Sequence, residues 1–304
     1  MLSHLLPHLF LLLALAPLLA GVISRTKALI AGRRGAPLLQ LYFDLWKLCR
    51  KGMVISSTTT WVFRAGPVVG IVVPVLASLF IPFGGIRAPL SFNGDLILFV
   101  YLFALARFFT VLAALDTGSS FEGMGAAREA TFACLAEPTV FVIFIVLARV
   151  SGSLALDTML GSLQSHIAHP AAGVPLLLAA ICLFVVLLAE NCRIPFDDPN
   201  THLELTMIHE VMVLDHSGPD LALILYGAAM KFFVMGALLV SFFLPPHPVS
   251  IIAETGAFVG AMLLLAVAVG LVESAMARLR LIRVPQLLVG TSLLSCFALV
   301  LLLR

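Results

Sequence analysis

Eight apolar runs separated by short polar breaks set the pattern of this chain. They cover approximately 2–24, 62–82, 94–115, 131–150, 174–190, 219–243, 252–273 and 283–303. A helix needs roughly 20 apolar residues to cross about 30 Å of hydrocarbon, and each run is close to that length. Together the runs fill more than half of the chain and leave no room for a separate soluble domain. The pattern therefore predicts an all-α polytopic membrane protein with about eight transmembrane helices, built as one integral membrane domain over residues 1–304. The first run is long and has no basic residues ahead of it, so it reads as a retained span and not as a cleaved signal.

Two polar interruptions carry periodicity of their own. The first follows Pro37, where Gln40, Asp44, Lys47 and Lys51 fall at helical spacing on one face while leucines and aromatic residues fill the rest. It is too short to span, which predicts a cytoplasmic amphipathic helix lying in the interface. Such a helix serves as a surface anchor or as the floor of a protein-lined chamber. The second begins at Glu190-Asn191-Cys192-Arg193-Ile194-Pro195-Phe196-Asp197-Asp198-Pro199 and continues through Glu204 to Asp215-His216-Ser217-Gly218-Pro219. Glu190 and Arg193 are spaced to pair on one helix face, and Pro195 ends that helix. Thr201-His202-Leu203-Glu204 has the form of a capping box. Leu203, Met207, Val211 and Leu214 share the stripe that follows, which predicts a short cytoplasmic helix between spans five and six with Glu204 and Glu210 on its polar side. Plain capping with a solvated acidic face would explain the segment, but so many acids in a chain this poor in charge favour a functional one. Residues 115–125 read as a cytoplasmic loop, and 151–173, where Asp157, His166 and His169 show no ligand spacing, as a solvated connection.

Composition sharpens this. The chain is 61% hydrophobic and 11% charged, against about a quarter charged in soluble domains. The net charge of +2 says little, but its distribution says more. With the N-terminus outside, Arg25, Lys27, Arg33, Arg34, Lys47, Arg50, Lys51, Arg64, Arg128, Arg193, Arg278, Arg280 and Arg283 gather on the cytoplasmic side, Arg107 and Lys231 lie within spans, and only Arg87, Arg149 and Arg304 fall opposite. Lys and Arg resist translocation, so both termini are expected on the non-cytoplasmic side of the cell (inner) membrane.

Charges within the spans are the candidate chemistry. Arg107 lies two turns inside the third run, Glu137 precedes Pro138 in the fourth, and Lys231 is near the middle of the sixth. An arginine at mid-bilayer costs about 2.5–3.5 kcal/mol on insertion scales, so Arg107 should face a carboxylate in the bundle or snorkel to the nearby interface. A carboxyl beside a proline that frees a carbonyl, and a lysine far from either surface, mark an ion path. Near Glu273, Arg278 and Arg280 are placed to dock a partner or hold orientation. The five cysteines fall singly, which supports neither a disulfide framework nor a metal site. No phosphate loop, dinucleotide fingerprint, nucleophile elbow or haem-binding histidine set is present, and nothing points to nucleic acid. No cofactor is expected on this chain.

Several stretches together resemble one family. They are Arg33-Arg34-Gly35-x-Pro37 with Gln40, Asp44 and Lys47, then Arg128 followed by Glu137-Pro138, and most specifically Ala189-Glu190-Asn191-x-Arg193-x-Pro195-Phe196-Asp197 continued by Ser217-Gly218. The chain is similar to the subunit 1 (H-type) membrane protein of respiratory complex I and its relatives in energy-converting nickel–iron hydrogenases and formate hydrogenlyase complexes. Leu115-Asp116-Thr117-Gly118-Ser119 and Glu273 to Arg280 look more like the hydrogenase branch. The sequence departs from the complex I pattern at Asn200 and His202, where glutamates are usual, and at His216, where a tyrosine is.

The resemblance implies a membrane-anchoring, ion-coupling subunit of a multi-subunit oxidoreductase, not catalytic by itself. It would dock a peripheral electron-transfer module and couple redox to proton or cation movement. The ion-coupling set would be Glu137, Glu190, Asp197, Glu204, Lys231 and Arg107. Docking or chamber residues would be Arg33, Arg34, Gln40, Asp44, Lys47, Arg128, Arg193, Asp198, His202, Glu210, His216, Arg278 and Arg280. The implied partners are antiporter-like membrane subunits, peripheral hydrogenase-like small and large subunits, and lipid; iron–sulfur clusters and any nickel–iron centre belong to those partners. One alternative keeps the fold and makes it the quinone chamber of an NADH-quinone oxidoreductase. A second is a stand-alone cation transporter, which predicts an inverted repeat that the sequence lacks. A third is a passive anchor.

Overall fold

The computed structural model describes residues 2–167, 170–197, 207–244 and 250–303. Among them are ten α-helices: α1 (Leu2–Ile30), α2 (Gln40–Cys49), α3 (Trp61–Ser78), α4 (Asp95–Asp116), α5 (Ser120–Ser151), α6 (Leu156–Ile167), α7 (Pro170–Glu190), α8 (Gly218–Ser241), α9 (Ile251–Ala275) and α10 (Val284–Leu303). Eight of these, all but α2 and α6, lie in segments long and apolar enough to cross a membrane. The chain is an all-α, multi-pass membrane protein.

α8 is the most enclosed span, with Met230, Phe232, Phe233 and Val234 essentially inaccessible. It packs on α3 and α1, while α3 also packs on α4, and α10 bridges α5 and α7. Close approach needs small residues. A Cβ on Gly227 of α8 would stand 2.6 Å from the carbonyl oxygen of Gly70 on α3, so these two helices touch backbone to backbone. At the end away from the basic residues, His8 stacks on Phe83 at 3.9 Å and bonds the carbonyl of Ser78 through Nε2 at 2.9 Å. Phe233 and Phe258 complete this aromatic plug.

Three local expectations are corrected. Residues 151–173 are not merely a solvated connection: α6 occupies much of them and buries Leu156, Met159, Leu160 and Leu163. That spacing is an amphipathic stripe too short to span, held down where Asp95 accepts the backbone N–H of Leu156 at 2.7 Å. Residues 115–125 are mostly not loop, because α5 begins at Ser120. Gly125 is there for packing: its Cβ would meet the carbonyl of Ile208 at 3.0 Å. Finally, Pro195 does not stop α7, which ends earlier at Glu190. The N–H of Cys192 bonds the carbonyl of Ala189 at 3.1 Å and that of Arg193 bonds Leu188 at 2.8 Å, with Cys192 left-handed at φ 49°. This is a Schellman C-cap carrying Cys where Gly is usual.

Between α7 and α8 the described residues hold one four-residue 3-10 turn, Glu210–Val213, in place of a longer helix. Met207 and Val211 of the expected stripe are buried, whereas Leu214 is exposed. The capping box, with His202 and Glu204, lies outside the described residues, as does Asp198.

Candidate functional site

Four spans bring their charges together. Arg107 of α4 donates through Nη1 to Glu137 of α5 at 2.6 Å and through Nη2 to Glu190 at the end of α7 at 2.5 Å. Its Nε lies 3.5 Å from Glu129. Lys231 of α8 donates to the other oxygen of Glu190 at 2.9 Å and to the Glu190 carbonyl at 2.6 Å. Glu190 does not pair with Arg193, because the helix ends before that residue completes a turn; the two sequence neighbours turn to different partners. Two cations against three carboxylates (2 − 3) leave the cluster one formal negative charge. Glu137 is the accessible end, with 40% of its side chain exposed.

A second ionic layer lies toward the basic end. The buried carboxylate of Glu273 is bracketed by Lys27 at 2.9 Å and Arg193 at 3.4 Å. Asp197, also buried, pairs with Arg278 at 2.8 Å and accepts the backbone N–H groups of Ile208 and His209 at 2.9 and 3.3 Å. That one carboxylate ties the two edges of the 198–206 interval. Arg128 donates to the carbonyl of Met207 at 2.8 Å, adding α5 to the same tie. Arg33, Arg34, Lys47 and Arg280 are exposed, Glu210 is half-buried, and Gln40 donates to Asp44 at 2.9 Å along α2.

Between the layers opens a cavity of about 500 Å³. Gly66, Pro67, Gly70 and Pro74 thin its α3 wall, Leu41 of α2 and Phe232 of α8 close other sides, and Arg107, Glu190 and Lys231 form its charged floor. His216 lines it too, stacked on Phe63 at 3.9 Å, and burial lowers its pKa to about 4.

Glu129, Glu273, Lys27, Cys192 and His209 were not expected at the site. Glu129 sits about two turns before Glu137 and Glu273 ends a span, so a search for charges near span ends would have found both. The proximity of Cys192 to His209 has no sequence signal, because the sixteen residues 193–208 separate them. Burial pushes the Cys192 thiol well up, helped by the carboxylates of Glu129, Asp197 and Glu190, and burial lowers the pKa of His209.

The sequence matches the family described as NADH dehydrogenase over residues 3–303. It is 34% identical over 284 residues to formate hydrogenlyase subunit 4 of Escherichia coli (strain K12), covering 91% of this chain and 90% of that protein. Hydrogenase-4 component C of the same organism is 36% identical over 234 residues, 77% of this chain and 72% of that one. NADH-ubiquinone oxidoreductase chain 1 of Arabidopsis thaliana is 29% identical over 241 residues, 77% of this chain and 70% of that protein. A chain of the membrane-bound sulfane sulfur reductase, an archaeal respiratory membrane complex, shares the fold with a TM-score of 0.85 at 22% identity and 98% coverage of both chains.

Proposed function

Because the chain belongs to the NADH dehydrogenase family, we propose that it is the membrane-anchoring, ion-coupling subunit of an energy-converting, hydrogenase-related oxidoreductase complex. The observation that carries this reading is the cluster in which Arg107, Glu190 and Lys231 form the cavity floor and Arg107 links them to Glu137. With Glu129 3.5 Å from the Nε of Arg107, the cluster carries one surplus negative charge and gains by taking up one proton, and each carboxylate is steadied by a cation that cannot leave. Moving Lys231 or Arg107 relative to Glu190 changes which carboxylate holds that proton. The 190–218 segment supplies a lever: Asp197 and Arg128 fasten it to Arg278 and α5, so a displacement at a docked redox partner reaches Glu190 through six residues of chain. The exposed side of Glu137 is the exit toward a neighbouring membrane subunit. Iron–sulfur clusters and any nickel–iron centre reside in the peripheral subunits that dock on the basic end, which faces the cytoplasm.

The test replaces Glu137 with Gln and Lys231 with Met, then measures redox turnover and proton uptake by the assembled complex in vesicles. Coupled uptake should fall at least tenfold while assembly persists. Unchanged pumping in an assembled complex would leave a passive anchor as the better account. A second reading, in which a quinone occupies the site, rests on the size and largely apolar lining of the cavity. Quinone-dependent turnover blocked by a cavity-filling inhibitor would favour it over the hydrogenase reading.

A further inference from the structure

Three side chains meet at the cavity edge, one of them, Glu129, from the rim of the ion cluster. A carboxylate oxygen of Glu129, the Sγ of Cys192 and a ring nitrogen of His209 all lie within 4.8 Å of one another. Ligand atoms around a tetrahedral zinc ion, at bond lengths of about 2.0–2.3 Å, stand roughly 3.3–3.8 Å apart. Binding an ion would draw the three atoms in from their spacing of at most 4.8 Å. The ligand types are those of a zinc-class ion: one thiolate, one imidazole, one carboxylate.

Two independent features point the same way. The Nδ1 of His209 is buried without a hydrogen-bond partner, which is costly unless something else satisfies it. Cys192 occupies the left-handed C′ position of the α7 cap, where glycine is the residue without strain. A thiol held there against backbone preference lies within 4.8 Å of the ligand atoms of both Glu129 and His209.

We propose that Glu129, Cys192 and His209 form a site for a divalent cation of the zinc class, with a fourth coordination position supplied by water from the cavity. All three residues line that cavity, so the open position faces it. The ion would join α5, the α7 cap and the residues just before the 3-10 turn, clamping the same segment that Asp197 ties. It would also draw Glu129 from its 3.5 Å approach to Arg107. The site stands on its own geometry and does not depend on the coupling role proposed above.

Cobalt(II) is the probe, because thiolate ligation produces a near-ultraviolet charge-transfer band and tetrahedral geometry an intense visible one. The full chain, purified in its complex with the exposed Cys49, Cys134 and Cys296 replaced by Ser, is titrated with cobalt alone. One equivalent per chain with both bands is expected, competed away by zinc. Cys192→Gly suits the left-handed backbone and should fold at least as well, yet should lose the charge-transfer band. His209→Gln should weaken cobalt binding at least tenfold. Zinc should raise the melting temperature of the parent complex but not of the Cys192→Gly variant. Absence of the band in the parent, or its survival in Cys192→Gly, overturns the proposal, as does an equal zinc shift in both.

Discussion

Glu190 answers to two cations on two other helices, and this decides how a substitution there behaves. Glu190→Gln leaves Lys231 without a carboxylate and Arg107 with only Glu137 and Glu129, which should cost about 3 kcal/mol. Adding Lys231→Met removes one of the stranded charges, so the double variant should recover part of that loss. Thermal unfolding of the four proteins of this cycle in one detergent measures the coupling; strict additivity would mean that the two side chains do not interact. His216 makes a contribution that depends on pH. Its folded pKa of about 4 lies below its ordinary value of 6.5, so its contribution is complete above 6.5 and is lost as pH falls toward 4. The loss is on the order of 3 kcal/mol. Protection factors for amide exchange over residues 207–217, referred to the intrinsic rate at each pH, should fall across that window, and His216→Phe, which keeps a ring against Phe63, should abolish the fall.

At the scale of elements, helix contacts here rest on absent side chains as much as on present ones. Gly227→Ala would push its Cβ into the Gly70 carbonyl and spread α3 from α8, costing about 1–3 kcal/mol and disturbing the cavity wall. Gly70→Ala meets nothing within 4 Å and should be tolerated. A comparison of the two melting temperatures checks the assignment; equal effects would deny the close crossing. The eight spans are legible in the sequence because each apolar run must satisfy its backbone internally and match the bilayer, which makes length and hydropathy sufficient. α6 escapes a reading that judges a loop between spans by its ligand chemistry, although its i, i+3, i+4, i+7 leucine and methionine spacing is there to be read. The end of α7 is displaced in such a reading because a proline is conspicuous in sequence, while a Schellman cap on cysteine is not.

For the whole molecule, positive charge crowds one end, and eight crossings, the number of candidate spans among the described residues, would return both termini to the same face. Impermeant maleimide should therefore label the exposed Cys49 only from the cytoplasmic side, and reporters fused to either terminus should read as non-cytoplasmic. Labelling of Cys49 from the opposite side would reverse the orientation. Span number, the basic end and the presence of Arg107, Glu137 and Lys231 inside the spans follow from the sequence by itself, since the cost of exposing polar groups to hydrocarbon acts on each segment alone. Partners do not follow in that way. That Arg107 takes both Glu137 and Glu190, that Glu190 leaves Arg193 for Lys231, and that Glu129, Cys192 and His209 converge were decided only by tertiary structure. These contacts join residues up to 83 positions apart, and such distances close only when helices pack.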